Sequence, residues 1–160
     1  MNKDFCFLLK VRYYECDAQH VVFNARYGDY IDTASTEFFR AVFGDYKQLL
    51  ARNLDCQLVK QTTQWKAPAR FDDVLTITVS TISVGTSSFT LAFTIHNFIS
   101  EQVIAECETI YVMVQADNFS KTPVPDDVRK QLLAGAPGIM TNHAGVELKK
   151  SNAGQPDKRC

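Results

Sequence analysis

The chain has 160 residues, of which 46% are hydrophobic and 22% charged, and its formal net charge is −1. A chain of this length is expected to fold as one domain around a single core. Basic and acidic residues are interspersed without a basic stripe, so we expect no nucleic-acid partner.

The N-terminal residues show no targeting or membrane-spanning pattern. The apolar run from Phe5 to Leu9 is too short for a signal-peptide core or a spanning helix. The five cysteines, an odd number, stand at no metal-ligand spacing and form no CxxC pair. We therefore expect a cytosolic protein with free thiols, no metal site and no membrane span.

The first predicted elements are a strand and a helix joined by an acidic loop. Apolar residues alternate from Phe7 to Tyr13, as in a half-buried strand, and the alternation stops at Glu15-Cys16-Asp17. From Asn24 onward, apolar residues recur at steps of three and four. This spacing predicts a long helix from about Asn24 to Phe43, with Asn24 as its N-cap. A shorter helix is expected over residues 46–51.

Beyond residue 56 the sequence predicts an antiparallel sheet and a short terminal helix. β-patterned segments cover residues 56–67, 75–84, 89–96 and 103–115. The alternation slips at Thr81, which predicts a bulge or strong bend. A helix is expected over residues 126–133. The elements together predict an α+β fold in which a curved antiparallel sheet of about five strands wraps around one long central helix.

The C-terminal segment has little apolar periodicity, and it contains glycines and prolines. We therefore expect a folded domain over residues 1–135. Residues 136–160 are expected to form a poorly ordered tail.

The acid before the helix start is the main candidate for chemistry. The N–H groups of a helix's first turn carry partial positive charge and can stabilise an oxyanion. A carbonyl docked on them would be polarised, and the Asp17 carboxylate could attack it or deprotonate a water that does. The pattern predicts acyl transfer without Ser, Cys or metal. An Asp in this position is also a common turn or capping residue, and the residues alone leave that interpretation open.

The stretch from Tyr13 to Tyr27, YYECDAQHVVFNARY, resembles the signature of the 4-hydroxybenzoyl-CoA thioesterase-like family of hot-dog fold proteins. In both, a strand ends in an acidic loop, here Cys16-Asp17, and a helix opens shortly afterwards. The resemblance covers residues 5–133 and implies a hot-dog acyl-CoA thioesterase. It implies that Asp17 is the catalytic carboxylate and that the backbone N–H of Asn24 polarises the thioester carbonyl. Whether Asp17 acts as nucleophile or general base stays open.

The resemblance also implies partners and further site residues. Coenzyme A would be part of an aryl- or short- to medium-chain acyl substrate, no separate cofactor would be needed, and the chain would form homodimers or homotetramers. The candidate substrate contacts are His20, which stands where many members have glycine, together with Phe23, Tyr27, Asp32 and Trp65. Core packing is the favoured interpretation of Tyr27, and a solvated or interfacial carboxylate is that of Asp32. Some members clamp coenzyme A with a basic hairpin, but residues 84–88 carry no charge here. Lys60, Lys66 and Arg70 are therefore the candidates for coenzyme A binding.

Two other functions fit the same scaffold. A hydratase or dehydratase would need an acid–base residue beside the acyl chain, and the long helix contains no His. A non-catalytic acyl-binding module is the second alternative, if Asp17 serves only as a structural cap.

Overall fold

The computed structural model describes residues 4–148 and contains six strands, three α-helices and one short 3₁₀ turn over that range. The elements in chain order are β1 (Phe5–Lys10), the 3₁₀ turn (Tyr13–Glu15), α1 (Arg26–Phe43), α2 (Lys47–Ala51), β2 (Leu54–Trp65), β3 (Val74–Val84), β4 (Ser88–Asn97), β5 (Val103–Gln115), α3 (Asp126–Ala134) and β6 (Met140–Asn142). They form one mostly antiparallel sheet with helices against it, which confirms the predicted α+β class.

The strands are arranged in the order β2-β5-β4-β3-β1-β6, and the only parallel pair in the described part of the chain is β1 with β6. The inner face of the sheet is apolar because the strand sequences alternate. In β4, for example, Phe89, Leu91, Phe93 and Ile95 are buried while the residues between them are partly exposed.

Helix α1, with 18 residues, supplies the other half of the core. Its buried side chains recur at steps of three and four, which places them on one face of the helix. They are Tyr27, Tyr30, Ile31, Ala34, Ser35, Phe38, Phe39 and Phe43. The start of α1 is therefore fixed against the sheet by the burial of this stripe.

Two local predictions have opposite outcomes. The slip at Thr81 is confirmed, because the β3–β4 register shifts between Thr81 and Ser83. The first strand is shorter than predicted and ends at Lys10. At Val11 the backbone instead bonds to the residues before β3, with its N–H on the Asp73 carbonyl at 2.8 Å. This contact turns the chain into the 3₁₀ segment.

The expectation of a poorly ordered tail is wrong for residues 136–148, and residues 149–160 lie outside the described part. Ala136 is buried in the core. Strand β6 pairs with β1, since the Cys6 N–H donates to the Ile139 carbonyl at 3.0 Å and the His143 N–H to the Leu8 carbonyl at 2.8 Å. These are backbone hydrogen bonds, which need no apolar periodicity and so leave little trace in the sequence pattern.

The cysteines also depart from expectation. Cys6 is disulfide-bonded, so the prediction of free thiols throughout is wrong at this residue. The other described cysteines, Cys16, Cys56 and Cys107, carry free thiols. Within residues 4–148, no helix combines the length and apolar character needed to cross a membrane.

Candidate active site

The acidic loop is closed by backbone pairing between its two ends. Cys16 and Val22 face each other in an antiparallel bridge. The Asp17 N–H donates to the Val21 carbonyl at 2.9 Å. The loop is therefore a tight turn that holds Asp17 at its base and leads directly to the start of α1.

The Asp17 carboxylate is partly exposed and is oriented through one oxygen. Its Oδ1 accepts the Gln19 N–H at 2.8 Å. The Oδ2 atom has no hydrogen-bond partner in the described part of the chain. A carboxylate held through one oxygen keeps the other available to attack a carbonyl or to take a proton from water.

His20 occupies a backbone conformation that glycine commonly supplies. Its φ is +61°, in the left-handed region that costs an ordinary residue about 1–2 kcal/mol. Its N–H donates to the Asp17 carbonyl at 2.9 Å, so the conformation is part of the turn. The imidazole is exposed and makes no hydrogen bond within residues 4–148. The histidine thus keeps the turn that glycine would form, at a cost in backbone strain.

The strain predicts a difference between two substitutions. His20→Gly and His20→Ala both remove the ring, but only glycine relieves the left-handed conformation. The glycine variant is expected to be more stable than the alanine variant by about 1 kcal/mol, measured by urea denaturation. Equal stabilities would contradict the positive φ at this position.

Helix α1 begins at Arg26, and the prediction of Asn24 as its side-chain cap is wrong. The N-cap is Ala25, whose backbone is already helical, and no side chain caps the helix. A side-chain cap needs an extended N-cap residue, and the turn at residues 24–25 does not provide one. The N–H groups of the first helical turn are bonded, since Arg26, Tyr27 and Gly28 donate to the carbonyls of Phe23, Asn24 and Ala25. The open donors lie just before the helix. Among the described residues, neither the Asn24 N–H nor the Ala25 N–H has an acceptor, and both residues are exposed.

Glu15 anchors the loop to α1 through hydrogen bonds. Its Oε2 accepts the Tyr30 hydroxyl at 2.8 Å and the Arg12 N–H at 2.7 Å. Its carbonyl accepts the Phe23 N–H at 2.9 Å. Burial raises the pKa of Tyr30, and the hydrogen bond to Glu15 raises it further. The one available signal was that a buried tyrosine hydroxyl needs a partner.

Removal of the Tyr30 hydroxyl is expected to destabilise the fold. Tyr30→Phe leaves the Glu15 carboxylate partly buried without its phenol donor, which should cost about 1.5–3 kcal/mol. The measurement is urea denaturation at neutral pH. Tyr111→Phe is a matched control, because it removes a buried phenol that donates to the neutral Ser35 hydroxyl at 3.0 Å and should cost less. A Tyr30 variant as stable as wild type would show that the link to Glu15 carries no energy.

Of the three aromatic residues predicted to contact the substrate, one is buried and two are half exposed. Tyr27 is buried, and its ring meets Tyr30 and Trp65 edge-to-face with centroids 5.8 and 6.1 Å apart. Phe23 and Trp65 are half exposed. The Val22 N–H donates to the Ala69 carbonyl at 2.8 Å, which ties the segment after β2 to the loop. Trp65 and Phe23 are therefore the two that remain accessible to a ligand.

Asp32 lies further along α1 and is exposed. Burial raises the pKa of Tyr111, and the negative charge of Asp32 adds to the shift. Asp32 is three residues before Ser35, which accepts the Tyr111 hydroxyl at 3.0 Å.

The three predicted coenzyme A contacts are not brought together. Lys66 is occupied, with Nζ 3.2 Å from a Glu106 carboxylate oxygen. Lys60 lies six residues earlier on β2, a separation of about 20 Å along a strand. The Lys60 and Arg70 side chains are exposed and pair with no carboxylate within residues 4–148. Arg70 follows Ala69 and is the one nearest the loop.

Comparisons with known proteins identify the family of the chain. The model of the thioesterase-like superfamily matches residues 11–132. The acyl-CoA thioester hydrolase YbgC of Escherichia coli is 28% identical over 120 residues, which cover 75% of this chain and 89% of that protein. The solved structure of a gentisyl-coenzyme A thioesterase is 25% identical with a TM-score of 0.71, covering 79% of this chain and 98% of that one.

A 1,4-dihydroxy-2-naphthoyl-CoA thioesterase from Synechocystis superposes with a TM-score of 0.72 over 81% of this chain and 95% of that one. Its identity to this chain is 18%, so the likeness concerns the fold alone. The predicted hot-dog fold is thereby confirmed, with six strands instead of about five and with a central helix that, at 18 residues, is not long. The chain belongs to the thioesterase-like superfamily, which confirms the family and the enzyme class, a thioester hydrolase, that its sequence predicted.

Proposed function

We propose that this protein hydrolyses acyl-CoA thioesters, with Asp17 as nucleophile or general base and the helix start as the site that polarises the carbonyl. One observation supports the proposal: the tight loop presents a carboxylate with a free oxygen and leads into Asn24 and Ala25, whose N–H groups are open. Family membership and the names of the relatives support the same reaction.

In the general-base form, Asp17 takes a proton from a water that attacks the thioester carbon. The carbonyl oxygen becomes an oxyanion on the Asn24 and Ala25 N–H groups. When the intermediate collapses, the C–S bond breaks, and the thiolate of coenzyme A takes up a proton. The products are a free carboxylic acid and a free thiol, and no cofactor is needed.

In the nucleophile form, Asp17 attacks the carbonyl carbon and expels the thiolate, which leaves an anhydride between the acyl group and Asp17. Water then hydrolyses the anhydride. A single turnover in ¹⁸O-labelled water separates the two forms. Label in the Asp17 carboxylate indicates the nucleophile. Because water can also open the anhydride at the acyl carbon and label only the released acid, hydroxylamine trapping is run in parallel, and formation of an Asp17 hydroxamate likewise indicates the nucleophile.

We propose an aryl or a short- to medium-chain acyl group. The half-exposed rings of Phe23 and Trp65 offer aromatic surface close to the loop, and His20 is also exposed there. Tyr27 is buried and acts through packing. Asp32, an exposed carboxylate on α1, would accept a hydrogen bond from a hydroxyl on the acyl group.

We propose a homodimer formed by the edge of β2. This strand has 12 residues, and its outer edge has no partner strand in the described part of the chain. Leu58 and Val59 are exposed on it. Pairing of two copies would satisfy the open backbone groups and cover these side chains. Light scattering of the purified protein measures the subunit number, and a further pairing into tetramers would appear there too.

The proposed compartment is the cytosol. The free thiols of Cys16, Cys56 and Cys107 are typical of a reducing environment. A disulfide bond, as at Cys6, is instead typical of an oxidising compartment. Fractionation of the cells that produce the protein would show whether it is found in the cytosolic fraction.

The test of the proposed activity is a screen for thiol release from aryl-, short-, medium- and long-chain acyl-CoA. Release well above the uncatalysed rate from at least one of them is expected. A crotonyl-CoA assay runs in parallel, because water addition to the double bond without thiol release would indicate a hydratase. Tight acyl-CoA binding with neither reaction would indicate a non-catalytic binding module.

A further inference from the structure

The exposed aromatic side chains of this protein are concentrated around the catalytic loop. Six aromatic residues are between 50% and 80% exposed, namely Tyr13, Tyr14, Phe23, Trp65, Phe71 and Phe119. Five of them lie on the loop region or on segments that contact it, and Phe119 alone lies elsewhere, in the turn after β5. Large exposed aromatics gathered in one place indicate a binding surface.

Tyr13, Tyr14 and Phe71 form what we call the aromatic rim. The Tyr13 and Phe71 rings meet edge-to-face with centroids 5.9 Å apart. The Arg26 guanidinium lies 5.8 Å from the centroid of the Tyr14 ring. Because Phe71 is two residues from Ala69, whose carbonyl binds the loop at Val22, the rim is continuous with the site.

Two arginines flank the rim. Arg12 precedes Tyr13 and Arg70 precedes Phe71; both side chains are exposed, and neither guanidinium pairs with a carboxylate within residues 4–148. The Asp72 carboxylate next to Phe71 is paired with Lys10 at 3.3 Å.

Arg12 also lines a cleft of about 300 Å³ together with Lys10 and Tyr14. The two carboxylates in its lining, Glu15 and Asp29, are bonded by Tyr30 and Arg26. Guanidinium groups bind phosphates through paired N–H donors. The cleft leaves room for a phosphorylated ribose beside the rings.

We infer that the aromatic rim, with Arg12 and Arg70, binds the nucleotide end of coenzyme A. This inference rests on the proposed acyl-CoA substrate. Exposed aromatic rings stack on bases, and the two guanidinium groups would neutralise the phosphates. The rim thus supplies the anchor that the uncharged hairpin at residues 84–88 lacks. The exposed aliphatic side chains Leu58 and Val59 lie on β2 instead, where the second copy is proposed.

The experiment measures binding of free coenzyme A and of adenosine 3′,5′-bisphosphate by isothermal titration calorimetry. Tyr13→Ala and Phe71→Ala are each expected to raise both dissociation constants about tenfold, and Arg70→Ala should act in the same direction. Phe119→Ala is the matched control, because its ring is as exposed as that of Phe71. It should bind both ligands like wild type.

Three results would overturn the inference: wild-type protein that binds neither ligand, rim variants that bind both unchanged, or rim variants whose main change is in subunit number by light scattering. The last would make the rim a protein interface. Circular dichroism confirms that each variant is folded. Binding is measured without turnover, so protein that binds both ligands but releases no thiol contradicts the proposed hydrolysis and leaves the nucleotide site standing.

Discussion

Asp17→Asn is expected to lower kcat for acyl-CoA hydrolysis by a factor of about 10²–10⁴, the range typical of a lost general base. The amide keeps an oxygen that can accept the Gln19 N–H, now 2.8 Å from Oδ1, so the turn should keep its shape. What disappears is the negative charge that attacks the carbonyl or deprotonates water. KM should change by less than about threefold, since binding does not depend on that charge.

A matched control exists elsewhere in the chain. Asp45 Oδ1 accepts the Lys47 N–H at 2.9 Å, which is the same two-residue pattern, at the start of α2. Asp45→Asn should therefore leave kcat unchanged and report any general effect of the substitution. Turnover by the Asp17 variant close to that of the Asp45 variant would remove Asp17 from the mechanism.

Phe38→Ala is expected to destabilise the protein by about 3–5 kcal/mol, a large share of the stability of a domain of this size. Phe38 is fully buried in the middle of α1. Its ring lies 5.8 Å from that of Phe5 in β1 and 6.0 Å from that of Phe39. Its loss leaves a cavity between the helix and the sheet. Urea denaturation and the midpoint of thermal unfolding measure the effect.

Thr36→Ala serves as the comparison for Phe38. Thr36 is exposed on the same helix, and its hydroxyl donates to the Asp32 carbonyl of the preceding turn. Alanine favours helix at least as well as threonine, so stability should stay within about 0.5 kcal/mol of wild type. Similar losses in both variants would mean that helix propensity, rather than core packing, stabilises α1.

The sequence predicted the elements whose signal is local. α1 and β4 follow from the spacing of apolar side chains, and the slip at Thr81 marked a real bulge. The position of Asp17 at the foot of a loop before a helix was also readable, because both neighbours carry strong patterns.

Features that depend on distant contacts could not be predicted. The Tyr30–Glu15 hydrogen bond joins residues fifteen positions apart, and β6 joins β1 through backbone atoms alone. The prediction of Asn24 as the helix cap was wrong because the backbone at Ala25 is already helical. The preference of asparagine for N-cap positions does not reveal where the helical backbone begins. Local pattern therefore locates the candidate carboxylate of Asp17, and tertiary contacts such as the one between Tyr30 and Glu15 fix the loop that carries it.

The two ends of the sheet have different consequences for assembly. One end finishes in the three-residue β6 and the other in the 12-residue β2. If two copies pair through β2, both edges of the joined sheet are formed by the three-residue β6. Such short edges offer few free backbone groups for pairing with a third chain. Self-association by this route stops at a closed two-fold unit rather than continuing into a fibre.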